Sequence, residues 1–296
     1  MPSNLSDAKN GSPAVGGVLY VVATPIGNLD DITLRAVEIL QTVDVIAAED
    51  TRQTGILLKA HGITTRLLSY HEHNERQRSV QLIEKLKAGR AVAVVSDAGT
   101  PTISDPGYRL VSAAADAGIK VVPLPGVSAV TAALSVSGLP TDTFTFIGFP
   151  EKKAGKRTKQ LHRLADRRET LIFYESPRRI IPLLEAVREC FGDRPAVLTR
   201  EMTKQHEEFI RGPVSQIISA LAKRPAVKGE CTLLVSGRVD EKTVAPEDIE
   251  AEIAKFLTAG KTRTAEISSE IALKFKISKK EAYSMVLETK RMITAK

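Results

Sequence analysis

Val18-Leu19-Tyr20-Val21-Val22-Ala23-Thr24-Pro25-Ile26-Gly27-Asn28 sets an apolar, β-branched-rich run directly against a turn built on proline and glycine. An apolar run without polar alternation belongs to a strand buried on both faces, and the pattern after it, over 32–41, is helical. The same unit recurs. Apolar runs at 43–47, 66–70, 91–95 and 120–124 alternate with helical patterns that end near Ala60, span 74–88 and span about 107–117. Strands of this kind separated by amphipathic helices predict a mostly parallel sheet covered on both faces, so the first half is α/β. The apolar stretch from Val121 to Leu139 is broken by Pro123, Pro125 and Gly126, and reads as a strand, a turn and a small-residue helix rather than a membrane span.

From Thr143 the pattern changes. Strands are expected at 143–149, 170–174, 196–200, 207–211 and 231–235, with helices only at 156–165, 177–189 and 214–223. The run at 207–211 follows its predecessor with no helix between, which requires an antiparallel or mixed sheet. Beyond a polar linker at 238–247, only helical patterns remain, at 247–257, 264–275 and 278–290. The last two are joined by Lys276-Ile277, with Ser278 as N-cap and Glu281 three residues on, a helix-turn-helix pattern. The organisation expected is a tail over 1–16, α/β domains over 17–139 and 140–239, and a helical module over 246–296.

A chain of 296 residues with 43% hydrophobic and 26% charged residues has the balance of a globular protein, neither disordered nor fibrous. Aromatics are 4% and tryptophan is absent, so Val, Ile, Leu and Ala must build the core. Cys190 and Cys231 form no CxxC pair and fit a reducing, cytoplasmic setting. Residues 1–16 lack an apolar stretch and read as a mobile tail without a secretory signal. The net charge is +7, but it is concentrated: 255–296 carries +6 and 151–170 carries +5. Two basic segments on a slightly acidic body point to a polyanion such as nucleic acid, although basic helix faces are often simply solvated.

No GxGxxG and no GxxxxGK[ST] is present, so neither a dinucleotide fingerprint nor a phosphate-cradling loop is available. In a doubly wound sheet the ligand lies at the carboxyl ends of the strands. Four loops there combine Pro and Gly with acidic or hydroxyl side chains: 24–28, 96–107, 123–129 and 174–179.

These loops carry a resemblance. Ala23-to-Thr33 ATPIGNLDDIT, AAEDTR at 47–52, YHEHN at 70–74, VSDAGTPTISDPG at 95–107, PLPGVSA at 123–129, FYESPRR at 173–179 and TREMTK at 199–204 occur in one order. Together they resemble the bacterial ribosomal RNA small-subunit methyltransferases of the tetrapyrrole-methylase-like (class III) group of S-adenosylmethionine enzymes. The resemblance covers about 18–237, and the basic helical tail is similar to the helix-turn-helix domain of the same enzymes. It implies two α/β domains with S-adenosylmethionine folded into the cleft between them, and a homodimer. It also implies methylation of a cytidine ribose 2′-hydroxyl in 16S rRNA, near the decoding centre.

By the same resemblance Asp97, Ala98, Gly99 and Thr100 form the main cofactor loop, with Pro25 and Gly27 in the first turn and Ser128 and Ala129 after the third. Phe173 and Tyr174 are expected to close over the ligand. Asp97 reads as a polar clamp on the methionine moiety, or as an N-cap. A ribose hydroxyl is a poor nucleophile at neutral pH, so a base or a cation near it helps. Glu49, Arg52, His71 and Glu175 are the candidates, with His71 first because imidazole titrates near neutrality. His71 and His73 also fit exposed positions at a helix start. No third ligand accompanies them, so no metal is expected. Arg178, Arg179, Lys204, Lys279 and Lys280 are the expected phosphate contacts on rRNA or the 30S subunit.

Three rival readings differ in class. A small-molecule tetrapyrrole methylase shares the expected fold, but a soluble macrocycle needs neither the basic helices nor the YHEHN and YESPRR loops. A non-enzymatic nucleic-acid-binding regulator has no use for a Pro/Gly-lined cleft holding Asp97 and Glu175. A nicotinamide-dependent dehydrogenase lacks its glycine fingerprint.

Overall fold

The computed structural model describes residues 17–239, 246–259, 263–275 and 277–294. The tail expected at 1–16, most of the 238–247 linker and Lys276 of the expected turn lie outside the described residues. The chain divides into two compact units, one ending at Arg238 and one beginning at Val239.

In the first unit, β1 (Val18–Val22), β2 (Val45–Ala48), β3 (Leu67–Ser69), β4 (Val92–Val95) and β5 (Lys120–Leu124) form one sheet. Its order is β3-β2-β4-β1-β5 and every pairing is parallel, as the apolar runs predict. The crossovers are α1 (Leu34–Thr42), α2 (Thr51–Ala60), α3 (Glu75–Lys87) and α4 (Tyr108–Asp116). Because side chains alternate along a strand, Leu19, Val45, Val92 and Val94 face Leu82, Leu86 and Leu110 of α3 and α4. Val22, Ile46, Ala93 and Val95 face the other way, onto Ala36, Leu40 and Leu58 of α1 and α2. The loops after β1 and β4 therefore leave towards opposite faces, which opens a crevice at the strand ends.

The chain then crosses to a second sheet through α5 (Ala129–Ser137), whose Val130, Ala133 and Leu134 pack on Ile172, Val197 and Leu234. That sheet contains β6 (Phe144–Gly148), β7 (Thr170–Glu175), β8 (Pro195–Arg200), β9 (Glu208–Pro213) and β10 (Cys231–Val235). Its order is β6-β7-β10-β8-β9, with only β6-β7 parallel, so the sheet is mixed as expected. Helices α6 (Ala154–His162), α7 (Ile180–Phe191) and α8 (Val214–Ala222) cover the face opposite α5 through Leu161, Leu183, Leu184 and Ile217.

The second unit consists of α9 (Pro246–Thr258), α10 (Thr264–Phe275) and α11 (Lys279–Thr294), gathered on Ile253, Ile267, Ile271, Ala282 and Val286. Ser278 caps α11 as its spacing predicts, with its Oγ accepting from the Glu281 N–H at 3.1 Å. No described helix is long and apolar enough to cross a membrane.

The β8-β9 hairpin has an internal lock. Glu208 receives Arg224 at 2.5 and 2.8 Å and Arg200 at 3.0 Å. The two guanidiniums hold its carboxyl down at about 2, with the Arg224 hydrogen bonds the largest cause. A depressed carboxyl stabilises the fold above its unfolded pKa and loses that contribution as pH falls through the folded value. Glu208→Gln is expected to cost about 2 kcal/mol in urea denaturation at pH 7, on the scale of hydrogen bonds to charged groups. The gap between the two proteins should close as pH drops from about 4.5 towards 2.

Candidate functional site

The strand ends of the first sheet are knitted by backbone. Thr24 and Gly99 exchange two N–H to C=O bonds of 2.9 Å, and the Thr24 hydroxyl donates to Ser96 O at 3.1 Å. Gly99 sits at φ +78, a left-handed conformation that glycine adopts without a Cβ clash. Across the loop ends, Asp97 Oδ1 accepts from the Asp50 N–H at 2.8 Å, which brings the β2 and β4 termini together.

A cavity of about 430 Å³ lies against these ends. One wall is Ile26, Glu49, residues 97–100, residues 103–105 and Ser128-Ala129; the other is Phe149, Tyr174 to Pro177 and residues 230–232 of the second sheet. The Tyr174 ring meets Phe146 and Phe149 edge-on at 4.8 and 5.7 Å. Burial, with Asp105 nearby, pushes its phenol up to about 12, so it stays protonated and can donate. A second cavity of about 310 Å³ shares Ile26, Asp97, Ala98 and Glu230 with the first, and is lined also by Pro25, Gly27 and Lys204.

Asp97, Ala98, Gly99, Thr100, Ser128, Ala129, Tyr174, Glu49 and Glu175 are thus brought to one cavity. Asp97 caps no helix of its own; its carboxylate is used by Asp50. Ser128 precedes α5 yet its side chain makes no capping bond.

Other expected residues are placed elsewhere. Phe173 is a correction: it alternates with Tyr174, so its ring points to the opposite face and is fully buried with Leu171, Leu198 and Leu233. Arg52 lies exposed on the first turn of α2, paired to Asp50 at 2.7 Å, and lines neither cavity. Arg179 is not free for phosphate. Its Nη2 and Nε bind Glu175 Oε1 at 2.6 and 2.8 Å, and the Ser176 N–H adds a third bond to that oxygen at 2.7 Å. The turn so formed, closed by the Arg179 N–H on Ser176 O, delays the helix expected from Pro177 until Ile180. Glu175 Oε2 is buried without a partner. Arg178 is exposed.

Lys204 is likewise engaged, held by Glu201 at 3.0 Å and Glu230 at 2.9 Å. Its turn carries Glu201 and Thr203 at φ +52 and +64, and the Thr203 hydroxyl accepts from the Asn28 N–H at 3.0 Å. Gly27 is needed for this approach: a Cβ there would stand 2.6 Å from Thr203 Oγ1 and 2.5 Å from Lys204 Cγ.

His71 lines neither cavity. Asn74 Oδ1 accepts from the His71 N–H at 2.9 Å, which orients the amide so that its Nδ2 donates to His71 Nε2 at 3.1 Å. The ring nitrogen with the lone pair is therefore occupied, and Nδ1 is buried without a partner. The imidazole stands near enough to Glu49 to favour its ionised form, against the larger effects of burial and Asp97, which raise the Glu49 carboxyl.

The sequence reading missed Asp105, Ser104, Phe149, Glu230 and Thr232. Asp105 lay in a quoted loop but read as turn chemistry, because Asp before Pro is common in turns. Burial, then Glu49, then Asp97 push it up to about 7, while a Ser96 hydrogen bond opposes them. Among the described residues, no three of His, Cys, Asp and Glu converge to hold a metal ion.

The description "Tetrapyrrole (Corrin/Porphyrin) Methylases" belongs to a family whose model matches residues 18–218. A ribosomal RNA small subunit methyltransferase I of Synechocystis sp. is 45% identical over 275 residues, 92% of this chain and 98% of that one. Proteins of the same name from Bacillus subtilis and Streptococcus pyogenes serotype M1 are 44% and 46% identical, each over 90% of this chain and 93% of theirs. Among solved structures, uroporphyrin-III-C-methyltransferase from Thermus thermophilus aligns with a TM-score of 0.54 at 23% identity, over 74% of this chain and 94% of that one. Cobalt precorrin-4 methyltransferase aligns at 0.57 and 20%, over the same shares. At these identities the two structures speak for the fold.

Gly27→Ala forces the turn at 202–204 off the first sheet, an overpacking cost of about 1–3 kcal/mol. Roughly tenfold weaker binding of S-adenosylmethionine is expected by calorimetry, with a lowered Tm.

Proposed function

This chain belongs to the tetrapyrrole methylases and, within them, to the ribosomal RNA small subunit methyltransferase I family, and from that premise we propose that it transfers a methyl group from S-adenosylmethionine to the ribose 2′-hydroxyl of a cytidine in 16S rRNA, near the decoding centre. One observation carries the cofactor. Glu49, Asp97, Asp105, Glu175 and Glu230 line the first cavity and no Lys, Arg or His does. Such a wall attracts a ligand that is cationic at sulfonium and ammonium, and repels the phosphates of nucleotide cofactors.

The residues present fit that ligand. Ile26, Ala98, Ile103, Ala129 and Phe149 offer an apolar slot for adenine beside backbone groups of the Gly99 turn. Asp97, Glu230 and the unpartnered Glu175 Oε2 are acceptors for the ammonium and ribose hydroxyls. Glu175 serves this role as a residue locked by Arg179, which makes it a fixed acceptor rather than a mobile base. When bound, S-adenosylmethionine supplies a methyl group whose leaving group is a neutral thioether. The protein's part is to align the hydroxyl and exclude water, with residues 17–139 and 140–239 as the two enclosing halves.

RNA rather than a macrocycle is favoured by coverage. The match to the relatives named for ribosomal RNA runs over 275 residues, more than the 238 that end at Arg238, so it reaches into the helical unit. The macrocycle methylases align with 74% of the chain, which the α/β unit alone can supply. Exposed Arg178, Lys279 and Lys280, with the basic segment 152–168, are the phosphate contacts on this reading. The protein then acts in the cytoplasm as a homodimer on rRNA or the 30S subunit.

Tritium transfer from labelled S-adenosylmethionine tests it, with unmodified 30S subunits, free 16S rRNA and a porphyrinoid as acceptors. Label at a ribose oxygen of RNA is expected; label entering only the macrocycle overturns the reading. Replacing Lys279 and Lys280 with Ala should weaken 30S binding and flatten its log–log salt dependence by up to about 2. An unchanged slope removes both residues from the interface.

A further inference from the structure

We propose that Asp105, with Glu49 beside it, accepts the proton of the attacking hydroxyl, and that a neighbouring cavity of about 440 Å³ admits the acceptor nucleoside. The inference rests on the methyl-transfer reading above. This acceptor cavity and the first cavity have Glu49, Ser104 and Asp105 in common and no other lining residue. An in-line displacement needs the nucleophile to reach the methyl carbon from the side opposite sulfur. A hydroxyl entering from the acceptor cavity meets the cofactor at this shared wall, and two of its three residues are carboxylates. The rest of the acceptor cavity is Glu72, Glu75, Pro106, Tyr108 and Arg109. Tyr108 is 72% exposed, an aromatic face open to a base.

Asp105 is delivered to the wall by a loop that holds Thr102 and Ser104 at φ +76 and +68. Backbone of that kind persists only where its surroundings enforce it. The charged groups that act on Asp105 are Glu49 from the end of β2 and Asp97 from the end of β4, with the Ser96 hydroxyl as donor. The Tyr174 phenol faces it from β7, and His71 acts only through Glu49. None of these pairs it with a cation, and burial, then Glu49 and Asp97, push its carboxyl up to about 7. Such a group is ionised above neutrality yet holds a proton firmly enough to draw one from a hydroxyl.

In the step, the ribose O–C bond forms as the C–S bond breaks and its electron pair returns to sulfur. The hydroxyl proton passes to Asp105. The positive charge on sulfur vanishes at the same time, so the proton affinity of Asp105 rises as the reaction proceeds.

Carboxyl ¹³C NMR of the cofactor-free protein reads the group directly. An aspartate titrating near 7 is expected; it should vanish in Asp105→Asn and move to lower pH in Glu49→Gln, which removes a like charge. In single-turnover methylation of 30S subunits at saturating S-adenosylmethionine, Asp105→Asn should lose roughly 10²–10⁴-fold and its rising pH limb. Tyr108→Ala should raise KM for 30S severalfold without changing cofactor affinity, and an unchanged KM overturns the acceptor cavity. Wild-type turnover in Asp105→Asn overturns the proton acceptor, as does a pH limb that survives there and disappears in His71→Ala. Should Asp105→Asn fail to fold, the Glu49→Gln titration decides: a downward shift supports the assignment and an unmoved resonance overturns it. Wild-type protein that labels no RNA defeats the methyl-transfer reading itself, whereas labelling with an inert Asp105 defeats only this inference.

Discussion

The contact between Gly27-Asn28 and the turn at 202–204 is the constraint on which the site depends. Without a Cβ on Gly27, the turn after β8 comes close enough for the Thr203 hydroxyl to accept from the Asn28 N–H at 3.0 Å. That contact joins a parallel sheet to a mixed one whose cores are otherwise separate. Lys204 follows Thr203 in the same turn, and its ammonium gathers Glu201 and Glu230. Glu230 in turn lines both the first and second cavities. A glycine that reads as a ligand-contacting residue is thus required first for the approach of protein to protein.

The electrostatics of the cleft follow from what is kept out of it. Arg179 is spent on Glu175, Lys204 on Glu201 and Glu230, and Arg52 on Asp50. Each pairing removes a cation that the linear sequence leaves available for phosphate or alkoxide. What faces the first cavity is a set of carboxylates, of which Glu49 is raised by burial and Asp97, and Asp105 by burial, Glu49 and Asp97. Holding like charges close is unfavourable unless a proton or a cation relieves them. A sulfonium cofactor and a transferable proton are two forms of that relief, so binding and chemistry use one feature.

Much of the fold was legible in sequence because its signals are local. Unalternated apolar runs such as Val92 to Val95 define buried parallel strands, and the missing helix between β8 and β9 requires antiparallel pairing. Asp97, Gly99 and Ser128 lie in loops at the carboxyl ends of strands and Tyr174 near the end of β7, and all four line the first cavity. Phe173 failed by one residue: the two-residue period sends it to the core when Tyr174 faces the cleft.

The sequence by itself determined the elements, their order, the strand-end loops and the absence of a phosphate-binding fingerprint, since periodicity and turn chemistry act over a few residues. Only tertiary structure decided which charges remain unspent. Arg179 and Lys204 look like free cations in the chain, yet hydrogen bonds within about 3 Å commit them to carboxylates. His71 looks like a base until Asn74 occupies its Nε2. Asp105 looks like a turn residue until Glu49, from a loop tens of residues away, is packed beside it along with Asp97 of its own loop. Proton affinity depends on burial and on neighbours in space, and neither is written in the order of residues.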